Sequence, residues 1–314
     1  MKAIFYRTFG DADVMEYGDL PEPKMGPSSV LVRVAAASVN PLDWKAREGL
    51  YDRLMDSIFP VIPGIDFSGV VERVGFGVRG LAPGDEVMGC VPNDEYLSRG
   101  TLAELTSAPA RCVVRKPSCL NWFEAAALPL VGLSAYQSMK HLAVRRGEVV
   151  LVHGAAGGVG SMAVQYALSL GARVIGTAGH HNHDFLRSLG AEPVGYRRGL
   201  TESVAALAPG GVDAVLDASG KRTLRTVAPL LKAGGRLASV ADPAVRSAGG
   251  TYVFAQPIST DIREMVALAE EGTMHAQISA VHPLENAVDG FRESQAGHTR
   301  GKIVVAVGCA PPEV

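Results

Sequence analysis

Cysteine is scarce in this chain of 314 residues: only Cys90, Cys112, Cys119 and Cys309 are present. They form no C-x-x-C pair and no closely spaced quartet, which argues against a zinc lobe or a disulfide framework. Each thiol is expected to be buried or inert. An excess of charge of one sign is missing too. The formal net charge is -2, so no basic face points to nucleic acid. No long apolar run occurs. The opening "MKAIFYRTFGDADV" has no secretory core, and "AAALPLVGLSAY" is too short to span a bilayer and holds Pro129 and Gly132. These absences lead to the expectation of a soluble, cytoplasmic protein with no membrane partner. Fixed-period repeats and low-complexity segments are also lacking. What remains, 47% hydrophobic and 20% charged residues, is ordinary globular composition with length for about two domains.

The first 120 or so residues read as β. "SSVLVRVAAASVN", "FSGVVERVG" and "GDEVMGCV" are strand-like and are cut by Gly and Pro, which predicts an antiparallel sandwich or barrel. The character changes near Leu120, where "NWFEAAALPLVGLSAYQSMKHLA" has helical spacing. Strands and helices then alternate. "GEVVLVHG", "ARVIGTAG", "VDAVLDASG" and "RLASVA" are the strands. "GVGSMAVQYALSLG", "NHDFLRSLG" with Asn182 as N-cap, and "KRTLRTVAPLLKAGG" are the helices. That order predicts a parallel, doubly wound sheet and an α/β fold class. A helix follows Pro257, with Ser259 as N-cap, and "GKIVVAVG" is a final strand expected to return to the N-terminal domain.

A glycine-rich loop, "HGAAGGVG", lies directly between the first of those strands and its helix. The dinucleotide pattern puts Ala155, Gly157 and Gly160 at its three glycine positions, with Ala155 replacing the first glycine. Gly157 would admit a pyrophosphate to the backbone, and Gly160 would allow close helix–strand packing. Gly158 and Val159 belong to the helix N-terminus that faces the phosphates. About 20 residues further on, NAD sites place an acid on the ribose. Here Thr177, Ala178 and Gly179 stand instead, and no acid appears until Asp184, which favours NADPH over NADH. His180, His181, His183, Tyr196 and Arg197 are candidate donors to a 2′-phosphate; the plainer reading of the histidines is an exposed loop. As a metal site "HHNH" lacks a partner at zinc spacing.

In "FPVIPGIDFSGVVERVG" a single acid, Asp66, interrupts an apolar run, and acids are seldom buried alone. It is catalytic, a metal ligand or structural. The order of motifs bears on the choice. "VNPLDWKAREG", "PGIDFSGVVERVGFGV", "PGDEVMG", "GTLAEL", "AAALPLVGLSAY", "HGAAGGVG", "LDASG", "LKAGGRL" and "HTRGKIVV" together resemble, in family order and over nearly the whole chain, the quinone oxidoreductase branch of the medium-chain dehydrogenase/reductase superfamily. The resemblance implies a GroES-like β-barrel catalytic domain over residues 1–120 and 257–314. It also implies a Rossmann NADPH-binding domain over residues 121–256, an active site in the cleft between the two, and a homodimer. Zinc alcohol dehydrogenases of the same superfamily carry a cysteine where Asn40 stands, Gly-His-Glu where this chain has Gly64, Ile65 and Asp66, and a second cysteine near Leu130. Asparagine, isoleucine and leucine cannot supply the ligands of a catalytic zinc, so no metal site is expected and Asp66 is read as structural, held by backbone N–H groups or an arginine.

The resemblance implies hydride transfer from NADPH to a quinone or to the double bond of an α,β-unsaturated carbonyl, with donors stabilising the developing oxyanion. Asn40 is the first candidate donor, against a plain turn asparagine before Pro41. Asp43 would orient Asn40 or Lys45, or pair with Arg47. Lys302 matches a lysine near the family's cleft, against a bland surface lysine. Some relatives carry a tyrosine after the motif asparagine; Pro41 stands there, which leaves Tyr51 by position, or solvent, as proton source. By motif, Ser134 and Ser219 belong to the cofactor side, and Phe254 and Gln256 to the segment crossing the nicotinamide. Two alternatives stay open: an enoyl-thioester reductase, and an NADPH-binding protein without turnover.

Overall fold

The computed structural model describes residues 1–92, 96–197, 199–220, 223–297 and 299–308. Cys309, the start of the helix expected at 221 and part of "PNDEYLSRG" lie outside them. By contacts the chain divides into two units: residues 1–130, 257–266 and 277–314, and residues 131–256 and 267–276.

The first unit is mainly β. Its spine is Ser29–Val39, whose inward positions Val30, Val32 and Val34 are buried. Among the described residues, a seven-stranded sheet runs in the order Ile278–Pro283, Lys302–Ala306, Ser29–Val39, Asp66–Val74, Glu86–Cys90 and Val113–Arg115, with Leu105–Pro109 also paired to the spine. A second, four-stranded sheet holds Met15–Asp19, Lys2–Tyr6, Asp56–Ile62 and Tyr96–Arg99. Most pairs are antiparallel. Two depart from the antiparallel expectation: Ile278–Pro283 runs parallel to Lys302–Ala306, and Asp56–Ile62 parallel to Tyr96–Arg99. Ile4, Phe5, Val71, Leu102 and Phe291 fill the core, at about 1.5–3 kcal/mol for each large side chain.

The last strand, Lys302–Ala306, pairs antiparallel with the spine, Ile303 opposite Val39. That register brings residue 302 beside residue 40 although 262 positions separate them. The helix Trp122–Ala127 packs on Ser29–Val39 and Asp66–Val74, and Ser68 Oγ donates to its Trp122 carbonyl at 2.6 Å.

The second unit is a six-stranded parallel sheet in the order Glu192–Gly195, Arg173–Ala178, Val149–His153, Val212–Asp217, Leu231–Ser239, Thr251–Tyr252. Numbered along the chain this is 3-2-1-4-5-6, the Rossmann order. The central strands Val149–His153 and Val212–Asp217 are mostly apolar and buried, as expected where both faces are covered. Leu151, Ile175, Val215, Val227 and Leu237 share one core.

Local structure departs from expectation at several points. The helical stretch after Asn121 is two helices, Trp122–Ala127 and Pro129–His141, since Pro129 has no N–H to donate back. Among the described residues from 223 to 235, the helix is Leu224–Val227 with a 3-10 turn through Leu230, and Leu231 already begins a strand. Asn182 stands at the N-cap of His183–Ser188 as expected, but it also ends a 3-10 turn, His180–Asn182, and its side chain makes no capping hydrogen bond. Ser259 is inside its helix, Ser259–Glu270.

Candidate functional site

Val149–His153 delivers the chain to the glycine loop at the carboxyl edge of the parallel sheet. Gly154 turns there with φ of 78°, a left-handed conformation that favours glycine. The tight turn therefore belongs to Gly154, not to the motif position at Ala155. Ala155 is fully buried, and its N–H donates to the Thr177 carbonyl at 2.9 Å. Gly157 is the N-cap of the helix Gly158–Ser169. A Cβ on Gly157 would meet no protein atom nearer than the Gly154 carbonyl at 3.5 Å, whereas one on Gly160 would lie 2.1 Å from that same oxygen. So Gly160 is needed for packing within the chain, and Gly157 leaves space that the chain does not use. With Gly158 and Val159 in the opening turn, the helix supplies amide donors and the positive end of its dipole. The loop fits a dinucleotide pyrophosphate.

Beneath the loop lies a buried polar layer. The backbone N–H of Gly154 donates to Thr177 Oγ at 3.0 Å, and that hydroxyl is 2.9 Å from His153 Nδ1. Thr177, expected to touch the cofactor, is fully buried, with its hydroxyl held under the loop. Burial lowers the His153 pKa from the ordinary 6.5, and Asp217 partly opposes this. Asp217 accepts from the Ser219 and Gly220 amides at 3.1 Å, from Thr223 Oγ at 3.2 Å and from Ser239 Oγ at 2.8 Å. Ser219 is thus fixed by its backbone, and a Cβ on Gly154 would approach its Cβ to 3.2 Å. Sequence reasoning missed His153, Asp217 and Ser239. Their signal was present: each is the polar last residue of an apolar parallel strand, the edge where open α/β sheets bind ligands.

At the end expected to face the ribose, Arg173–Ala178 and its neighbour Glu192–Gly195 place Gly195 opposite Ala178. Tyr196, exposed, continues from that edge with the Arg197 guanidinium 5.8 Å from its ring centre. The His181 ring folds against Gly179, where a Cβ would come within 2.8 Å of its Cε1. His180 and His183 stack at 5.0 Å, and His183 Nε2 is 3.4 Å from the Ala178 carbonyl. Asp184, the first acid after the strand, is exposed and paired with Arg187 at 2.6 Å.

The remaining residues expected on the cofactor side lie in the same unit. Ser134 is buried in Pro129–His141, and its carbonyl accepts from Ser138 Oγ at 2.6 Å. Phe254 is exposed. The backbone of Gln256 is gripped in both directions by the Gln137 amide, at 2.8 and 2.9 Å.

In the β unit the structure brings Asn40, Asp66 and Lys302 together and leaves Tyr51 apart. Asp66 is fully buried. One of its oxygens accepts from Ser38 Oγ at 2.7 Å and from Asn40 Nδ2 at 2.9 Å, with Lys302 Nζ at 3.6 Å. The other accepts the Leu130 N–H at 2.8 Å. The cation beside Asp66 is therefore a lysine, not the arginine expected. Lys302 is only 4% exposed, not a surface lysine, and donates to the Val39 carbonyl at 2.9 Å and to Asn40 Oδ1. Burial lowers its pKa, while Asp66 and Asp43 pull the other way. Asp43 does not pair with Arg47. It reaches back to the Asn40 N–H at 2.8 Å and closes the first turn of Pro41–Arg47, and burial raises its pKa to about 7. Arg47 instead donates to the Gly10 carbonyl and to Gln295. Tyr51 is half-buried against the small cluster of Tyr6, Ala46 and Val61.

A zinc ion does not fit this arrangement. Asn40 Nδ2, the Leu130 N–H and the Lys302 ammonium all point protons at Asp66, and Ile65 is buried and apolar. A metal needs converging lone pairs; here the carboxylate is surrounded by donors. Among the described residues no group of three or more His, Cys, Asp or Glu side chains is placed to hold a metal. Among them, too, no helix is long and apolar enough to cross a membrane.

A family model described as alcohol dehydrogenase GroES-like domain matches residues 26–118, and one described as zinc-binding dehydrogenase matches residues 158–268. The chain is 32% identical to a chloroplast envelope quinone oxidoreductase homolog of Arabidopsis thaliana, over 97% of this chain and 98% of that protein. It is 30% identical to an NADPH-dependent alkenal/one oxidoreductase of the same plant, over 97% and 79%. Among solved structures, the quinone oxidoreductase from Coxiella burnetii superposes with a TM-score of 0.86 at 32% identity, over 98% of this chain and 99% of that one.

Proposed function

Because the chain belongs to the quinone oxidoreductase branch of the medium-chain dehydrogenase/reductase superfamily, we propose that it is a zinc-independent, NADPH-dependent oxidoreductase whose acceptor is a quinone or the double bond of an α,β-unsaturated carbonyl. The observation that carries the reading is the Lys302 ammonium 3.6 Å from Asp66. A carboxylate already balanced by a protein cation and ringed by donors does not recruit zinc. Without a Lewis acid, the negative charge that develops on a carbonyl oxygen is met by hydrogen-bond donors.

NADPH, when bound, supplies a hydride. The chain's own residues do the rest. The opening turn at Gly157, Gly158, Val159 and Gly160 receives the pyrophosphate. His181, Tyr196 and Arg197 meet the 2′-phosphate, which no acid repels at the end of Arg173–Ala178. Asn40 donates from its amide to the substrate oxygen or the ribose, and Ser134, Ser219, Phe254 and Gln256 flank the nicotinamide. Tyr51 or solvent returns the proton. The assembly we propose is a homodimer, with the edge strand Thr251–Tyr252 available for pairing.

The test is NADPH oxidation with 1,4-benzoquinone, an alkyl enone and an enoyl thioester as acceptors, repeated with NADH and with a chelator. Turnover of quinone or enone that prefers NADPH and survives chelation is expected. Loss of turnover on chelation would sink the zinc-free reading. Binding of NADPH without oxidation across the acceptors would leave a dinucleotide-binding protein without turnover.

A further inference from the structure

The Asn40 amide is held at both ends by charged groups of opposite sign. A carboxylate can only accept and an ammonium can only donate. Nδ2 lies 2.9 Å from Asp66 Oδ2, and Oδ1 receives the Lys302 ammonium. One orientation of the amide satisfies both contacts. The flipped orientation sets oxygen against carboxylate and N–H against ammonium, and loses both. Asn40 is almost fully buried, so bulk water is a poor substitute for the lost partners. The two charges are themselves fixed. Lys302 is anchored on the Val39 carbonyl, and Asp66 on Ser38 and the Leu130 N–H. The Asn40 backbone is tied by Asp43. Each of the amide's two polar ends thus has one contact it cannot exchange, and one of the two Nδ2 hydrogens is left over.

We propose that Lys302 is a positioning residue: its ammonium serves as a built-in cation that locks the Asn40 amide, so that Asn40 offers a substrate its second N–H and never its oxygen. This rests on the reading above, in which Asn40 is the donor to the substrate oxygen. In that role Lys302 does not touch substrate. It acts by selecting one of two amide orientations, and Asp66 is the counter-charge that favours the ammonium against burial and holds it in place. The neighbouring titratable group, Asp43, lies in the field of both and adds negative charge when ionised.

Removing Lys302 alone strands Asp66 as a buried, unpaired charge and can unfold the protein. The informative variant is the double substitution Lys302→Met with Asp66→Asn, which removes both charges together. The amide oxygen introduced at position 66 can still accept from Asn40 Nδ2, but the thioether introduced at position 302 cannot donate to Oδ1, so the lock is lost while packing is kept. Three readouts are compared with wild type: melting temperature, the split between kcat and KM, and the side-chain amide resonance of Asn40, assigned by its disappearance in Asn40→Ser. A stable double variant should lose about 100-fold in kcat, the scale of one lost oxyanion donor, with the KM for NADPH changed less than about threefold. Its Asn40 amide should lose the slow hydrogen exchange of the wild type. Lys302→Arg, which keeps a donor and a charge, should recover part of kcat. Wild-type kcat in a stable double variant overturns the proposal, because the pair would then be a stability element only. So does a folded Lys302→Arg protein no better than the double variant. If wild type turns over neither quinone nor enone, the function fails, and the Asn40 resonance decides the positioning separately. Slow exchange kept in the double variant overturns it, and slow exchange lost supports it.

Discussion

The Thr177 hydroxyl stands between two partners: it accepts the Gly154 N–H at 3.0 Å and lies 2.9 Å from Nδ1 of His153. A hydroxyl oxygen can accept twice, so the proton between Thr177 Oγ and Nδ1 sits on either partner according to the tautomer, and a neutral imidazole agrees with a pKa lowered by burial. Thr177, expected from the sequence to contact the cofactor, is the post on which the glycine loop is hung.

Thr177→Val tests this. The shape is kept, but the Gly154 N–H loses its acceptor, at about 1–3 kcal/mol. The KM for NADPH should rise roughly 5- to 30-fold, because the loop is less well held. The ratio of NADPH to NADH efficiency should not change, since the hydroxyl is already engaged beneath the loop by Gly154 and His153. Thr177→Ser should restore binding. A collapse of the ratio would put Thr177 at the 2′-phosphate after all.

His153 makes the sheet unit sensitive to acid. Its folded pKa is below the ordinary 6.5, so as pH falls the unfolded chain binds the proton first. The stabilisation is full above pH 6.5 and is lost as pH drops through the folded value. Denaturant unfolding, followed from neutral pH to about pH 5, should show falling stability, with a shallower slope in His153→Gln. Equal slopes in both proteins would mean that the ring titrates alike folded and unfolded.

Much of the architecture was readable from residue order. The β-α alternation from "VVLVH" onward predicts the parallel sheet, because apolar runs bounded by glycine at that spacing leave few other foldings. What could not be read was the partner of each polar residue. Lys302 looks like a surface lysine next to Arg300 and Gly301; only the pairing of Lys302–Ala306 with Ser29–Val39 carries it to Asn40. Asp66 read as a structural acid, but its lysine lies 236 residues on. The shift of the turn from Ala155 to Gly154 is a matter of φ, which composition does not encode. The short helix Leu224–Val227 likewise gave way to strand pairing of Leu231–Ser239, where tertiary context overrode helix propensity.

Asp43 gives the β unit the opposite pH response from His153. Burial raises its pKa from 3.8 to about 7, so the folded chain holds the proton more tightly than the unfolded one. A raised acid stabilises most below the unfolded value, and that contribution is lost as pH rises toward the folded pKa. At about 1.36 kcal/mol per unit, the loss amounts to a few kcal/mol. Asp43→Asn keeps an acceptor for the Asn40 N–H but cannot titrate. Wild type should therefore lose stability relative to Asp43→Asn between about pH 4 and pH 7, measured by the difference in unfolding free energy. A difference independent of pH would show that Asp43 ionises normally.

The two glycines of the loop separate folding from cofactor binding. A Cβ at position 160 collides with the Gly154 carbonyl, a backbone atom of the turn itself, at 2.1 Å. Gly160→Ala must displace helix or loop and should cost at least about 2 kcal/mol of stability. At position 157 the nearest protein atom is 3.5 Å from the added carbon. Gly157→Ala should cost about 1 kcal/mol or less, the difference between glycine and alanine as an N-cap. Its methyl, though, fills the space through which a pyrophosphate reaches the opening amides. Thermal melting without cofactor, paired with NADPH titration by fluorescence, distinguishes the two. Gly157→Ala should melt near wild type and bind NADPH at least about tenfold more weakly. Gly160→Ala should lose stability first and binding only as a consequence. Wild-type affinity in Gly157→Ala would mean that the phosphates take another path over the helix, and the open space at Gly157 would need a different explanation.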